Sequence, residues 1–336
     1  NTTADYNTAA GYQAGYSNTT GTANATFGSN SLRLNSTGSY NTALGSNSLE
    51  NNTAFYNTAV GFAALASNTT GTQNVGIGPK ALLSNTTADN NIAIGYQTSE
   101  SNTAGNSNIS LGMRALRLNT TGSSNVAVGH NALYSNTTAS NNTAVGYLSA
   151  YNTTTGDNNV TLGKGSFYDN TTGASNIALG VNSLGDNTSG SFNVAVGKEA
   201  LRQNTTASYN TAVGHQAAYS NTTGADITAF GASALKENTT GSNNSAFGML
   251  AMDDNTIGAN NTAVGASALR RNTTASNNTA VGYQAGFTNT TGYGLSALGR
   301  KSLYNHTIGY PNAGFGDSSL INTTTGALNV AVGSES

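Results

Sequence analysis

Small, apolar and β-branched residues recur along this chain at one fixed spacing. The pattern Asn-x-Ala-Val-Gly and its variants place a glycine at Gly11, Gly28 and Gly45, through Gly129, Gly146 and Gly163, to Gly316 and Gly333, twenty in all. Every interval between them is 17 residues except Gly45 to Gly61, which is 16. One single-residue deletion and no insertion leave no room for a long loop. Each unit must therefore stack on the last in fixed register, which is the mark of a solenoid.

Aligned on the glycine, the units read as columns. The residue just before it is apolar, as in Val60, Val128, Val145 and Val264, and is expected to face a core. Two before it the residue is small, usually Ala, and three before it Thr, Val or Ile recurs. This period of two predicts a short strand. A second apolar column four residues after the glycine, with Leu65, Leu133 and Leu269, predicts a second buried edge. Seven before the glycine the residue is always Gly or Ala, as at Gly122 and Gly190, which suits a corner that is tight or left-handed. The predicted fold is all-β, a parallel β-solenoid (β-roll) of about twenty 17-residue coils, each with two or three short strands. It forms a single continuous repeat domain over 1–336, uncapped at both ends and read as a segment of a longer fibre.

Composition sharpens the picture. Only 8% of residues are charged and 36% hydrophobic, a low-complexity balance that also occurs in disordered chains. Disorder does not segregate its charges, however. Here every Lys, Arg, Asp and Glu lies one, two, five or six residues after the glycine, or five or six before it, and none enters the proposed core columns. The interior is slim, so stacked hydrogen bonds, Asn or Thr ladders and association with other chains are expected to add to apolar burial. A net charge of −2 without a basic stripe argues against nucleic acid and anionic membrane surfaces as partners. No apolar run is long enough for membrane insertion, and without cysteine there is neither a disulfide framework nor a thiolate metal site.

Eighteen of the twenty units carry an Asn-x-Ser/Thr sequon, including Asn1, Asn18, Asn68, Asn119, Asn136, Asn204, Asn221 and Asn289. Two readings stand side by side. They are acceptors for N-linked glycans, or Asn and Thr close a corner by bonding to backbone and to the next coil. Bulky glycans at a repeat of ~4.8 Å would crowd one another, which favours the second. Paired threonines such as Thr69 and Thr70 also resemble the hydroxyl arrays of ice-binding solenoids, although neighbours in one strand point to opposite faces. Tyrosines in variable columns, such as Tyr147 and Tyr134, suit stacking on sugars or packing between chains. His130, His215 and His306 sit in distant units with no metal-ligand or acid–base constellation around them. No catalytic residue, cofactor or metal is implied, and an enzyme is not expected.

The segments Asn125–Ala132, Asn142–Gly146 and Asn261–Ala268 resemble the head repeats of YadA-like trimeric autotransporter adhesins, and are similar to β-roll repeats of phage tail fibres. The resemblance covers about half of every unit. It implies a left-handed roll, a homotrimer and a role in attachment at a cell surface or, alternatively, in a virion tail-fibre shaft. The expected partners are copies of the chain itself, as a homotrimer or end-to-end filament, and cell-surface or glycan ligands. Each Asn-Thr-Thr-Gly segment makes the unit longer than the usual head repeat.

Overall fold

The computed structural model describes residues 3–336, so the sequon at Asn1 lies outside the described residues. Two compact units are present, Asn1–Thr172 and Gly173–Ser336. The first carries ten three-residue strands, from β1 (Thr8–Ala10) to β10 (Val160–Leu162), and the second ten more, from β11 (Ile177–Leu179) to β20 (Val330–Val332). Among the described residues there is no helix. Each coil thus has one strand rather than two or three, and the remaining residues form turns that stack as regularly as the strands do.

Within each unit consecutive strands pair in parallel without slippage. In β8 (Val126–Val128) and β9 (Thr143–Val145), Val126 faces Thr143, Ala127 faces Ala144 and Val128 faces Val145. The turns are hydrogen-bonded from coil to coil as well: Leu133 N–H donates to Ser149 O at 3.0 Å, and Asn131 N–H to Met113 O at 3.0 Å. The shorter interval from Gly45 to Gly61 leaves strand register intact, with Ala43 opposite Ala59. The missing residue is taken from the corner, where Asn52 Nδ2 reaches Ala54 O at 3.0 Å, two residues on instead of three.

The core corrects one reading of the sequence. Ala two before the glycine is the inward residue of the strand; Ala127, Ala144 and Ala263 are fully buried. The apolar residue just before the glycine points outward. Val60, Val128 and Val145 are half-buried and Val264 is 38% exposed, so none of them is a core residue. The reason is room. The interior is filled by Leu from the opposite wall, with Leu65, Leu133 and Leu269 at 0% exposure, and the strand contributes a small side chain, usually Ala and in three coils the buried Thr26, Ser110 or Thr161.

Glycine at the anchor is a steric necessity. Its φ is +137° at Gly129, and a Cβ there would stand 2.5 Å from the carbonyl oxygen of Gly146 on the next coil. The Gly/Ala corner seven residues earlier has a positive φ only at Gly309, at +146°; elsewhere it is small because the next coil's carbonyl approaches closely, Ala139 O lying 2.2 Å from where a Cβ on Gly122 would be. The buried Leu column does adopt left-handed φ, as in Leu133 at +49° and Leu269 at +49°. That conformation costs about 1 to 2 kcal/mol for a residue with a Cβ, and burial of the side chain offsets it.

Candidate functional site

No convergent pocket of acids, bases or ligands stands out, and among the described residues no group of three His, Asp or Glu is placed to hold a metal. What the fold repeats instead is surface. The outer face of the strands carries the residues one and three before each glycine. In the middle of the first unit these include Ile77, Ile92, Ile94 and Ile109, all exposed by more than a third, and in the second Phe230, Phe247, Val264 and Val281. Phe230 and Phe247 stack with ring centroids 5.5 Å apart. No strand of either unit contains a charged residue; the column just before the glycine is apolar throughout, and the column three before it varies between apolar residues and Thr or Ser, as at Thr143, Thr211, Thr228, Ser245, Thr262 and Thr279.

The polar faces are built differently. Charged residues of opposite sign occupy the same column on successive coils: Arg33 meets Glu50 at 2.8 Å, Arg117 meets Glu100 at 2.8 Å, and Arg300 meets Asp317 at 2.8 Å. The hydrogen bond from Arg117 to Glu100 holds its guanidinium above the ordinary range. Beyond Arg117, whose Nη1 donates to Tyr134 Oη at 2.9 Å, the column becomes aromatic. Tyr134, Tyr151 and Tyr168 stack on three consecutive coils with centroids 5.1 and 5.3 Å apart. Burial pushes the Tyr151 phenol up. The ring faces are thus occupied by one another and only the edges meet solvent.

Most sequon asparagines line the inside, although Asn51, Asn152 and Asn305 are half-buried and Asn322 is exposed. Asn68, Asn119, Asn136, Asn204, Asn221 and Asn289 are fully buried and Asn18 nearly so. Asn119 Nδ2 donates to Asn102 Oδ1 on the preceding coil at 2.8 Å and to Gly122 O at 2.9 Å. The same pair of bonds recurs at Asn68, Asn136, Asn204, Asn221 and Asn289. Asn18 Nδ2 donates to Gly21 O at 2.9 Å. Nδ2 is the atom an N-linked glycan would occupy, and where both its hydrogens serve the ladder, glycan and rung exclude each other. The glycosylation reading is therefore corrected to a structural one. The threonine after each of these residues is also committed, Thr120 Oγ1 donating to Thr137 O at 2.9 Å. The second threonine of the pair, as at Thr121 and Thr138, is exposed, and so is the first at Thr19 and Thr69.

A second ladder was not singled out in the sequence, although its signal was there: Asn four residues before nearly every glycine. Asn142 N–H donates to Asn125 Oδ1 at 3.0 Å, and Asn125 Nδ2 donates to Ala139 O at 2.8 Å. Ile227 and Leu295 replace Asn in this column and are buried in its place. The first ladder is interrupted at Thr153, and there Asn136 Oδ1 is left buried without a hydrogen-bond partner among the described residues. It is interrupted again at His306, which is 1% exposed. His130 and His215 lie just after their glycines, on the polar faces.

No known protein family matches the chain, and comparison with characterised proteins finds no relative. No helix among the described residues is long and apolar enough to cross a membrane.

Proposed function

We propose that the chain is a structural, non-catalytic segment of an extracellular fibre, and that copies of it associate, as a homotrimer, through the outer strand face. The carrying observation is that face: one column apolar in coil after coil, the other apolar or hydroxyl-bearing, both free of charge, and bordered by columns that do carry charge. A second copy of the chain is the occupant that fits it, because only a surface with the same repeat can match every strand along its length. Ten strands offer on the order of 1,000 Å² per unit, the scale of a stable protein–protein interface. The resemblance of Asn125–Ala132 to YadA-like head repeats supports the trimeric form and a place at a cell surface. Attachment would then be multivalent, with many weak contacts to surface or glycan ligands along the repeated polar faces.

Native mass spectrometry with light scattering tests the reading. The expected mass is three bare chains, and replacing Val128 and Val145 together with Asp is expected to shift it toward one chain while circular dichroism stays unchanged. A wild-type monomer at micromolar concentration would overturn the association, and a trimer indifferent to the double replacement would move it to another face.

A further inference from the structure

His306 occupies a position that asparagine holds in most coils, and its surroundings fix how its ring is protonated. On one side, Asn289 is oriented by its own Nδ2, which donates to Asn272 Oδ1 at 3.0 Å and to Gly292 O at 2.9 Å. Its Oδ1 therefore faces His306 Nδ1 at 3.3 Å, which must carry the proton. On the other side, Asn312 donates from Nδ2 to Gly326 O at 2.6 Å and to Tyr310 O at 3.0 Å. Its Oδ1 accepts from Asn329 N–H at 2.9 Å and from Asn329 Nδ2 at 3.0 Å. The Asn312 amino group, a donor only, also lies 2.9 Å from His306 Nε2, so its two hydrogens are shared among three acceptors and Nε2 meets it as a bare acceptor. The neutral ring with its hydrogen on Nδ1 is the one form that satisfies both flanks.

We propose that His306 is an acid-sensitive rung: protonation of Nε2 sets two donors against each other and loosens the coil that follows. A second N–H at Nε2 confronts the Asn312 amino group inside the stack, where an unsatisfied charge is costly. The ring must then leave, or take the Gly326 carbonyl from Asn312. The first route leaves the Asn312 amino group without its contact to the ring, and the second costs it the Gly326 carbonyl of the next coil. The fit leaves little slack, since a Cβ on Gly292 would stand 2.7 Å from His306 Cε1.

Burial holds the imidazole below its ordinary range, opposed only by the nearby Gly326 carbonyl. Its contacts on the three coils, Asn289, Gly292, Gly309, Asn312 and Gly326, are uncharged. The flanking titratable groups are the exposed Tyr293 and Tyr310, which meet edge to face at 5.7 Å. The unfolded coil therefore binds a proton more readily than the folded one. Stability is fully present above about pH 6.5 and falls as pH drops below it toward the folded value.

Hydrogen exchange of the full chain, corrected for intrinsic rates, tests this in wild type and His306→Asn, a replacement that restores the usual rung. Between about pH 7.5 and 5.0, wild-type protection over 306–329 is expected to fall roughly ten- to thirtyfold more than over 238–261, where the rungs are Asn. The variant is expected to erase that difference, although His130 and His215 remain. Equal pH response of the two segments in wild type, or an unchanged response in His306→Asn, would overturn the proposal.

Discussion

Gly129 and Asn136 show how strictly the coil treats single residues. Adding a Cβ at Gly129 drives it into the Gly146 carbonyl and fixes a side chain at a φ that only glycine takes readily. Gly129→Ala is expected to cost more than about 2 kcal/mol, read as a lower thermal midpoint with faster amide exchange in the adjoining coils. Asn136 offers the reverse experiment. Its Oδ1 is orphaned because Thr153 stands where the next asparagine would donate. Thr153→Asn is expected to supply that donor and stabilise the first unit by about 1 kcal/mol, seen as a raised midpoint in urea. No change would mean that the orphan is satisfied by water. At this scale the sequence was half legible: the glycine column announced itself, whereas the sequon pattern allowed a glycan site as well as the corner bonds that crowding favoured. Only the direction of the carboxamide decides, and sequence does not encode it visibly.

The strand is where the sequence was most misleading. Alternation correctly marked a strand ending at Val128, yet the larger apolar residue was assigned inward on the ordinary rule that apolar means buried. That rule runs one way only. The opposite wall contributes the buried Leu133, and the strand meets it with the small Ala127. Three substitutions separate the two walls and the polar face. Leu133→Asp is expected to disrupt its coil by more than about 3 kcal/mol. Val128→Asp alters little within one chain and acts on association instead. Arg117→Asp, which sets a second carboxylate against Glu100, costs at most about 1 kcal/mol because both groups are partly exposed. Chemical denaturation of all three at a concentration where the chain is monomeric would rank them; a Val128→Asp variant as unstable as Leu133→Asp would put the valine back inside.

For the molecule as a whole, segregation of charge decides what kind of association is open to it. The strand columns hold no charge, while many of the charged residues on the polar faces are satisfied by a neighbour one coil away. Self-association through the strands is therefore expected to persist, or strengthen, from about 0.1 to 1 M salt, whereas contacts made by the polar faces weaken. Light scattering across that range distinguishes the two. The carboxamide ladders add a property that no single coil has. Where asparagine follows asparagine, the later coil donates and the earlier one accepts, as Asn119 does to Asn102 and Asn136 to Asn119. Aligned amide dipoles sum instead of cancelling, as they do along a helix. Any cut across such a stack bares N–H groups on one side and oxygens on the other, so the stack is electrically polar along its length. A chain made from its N-terminus always offers the next coil a row of waiting acceptors.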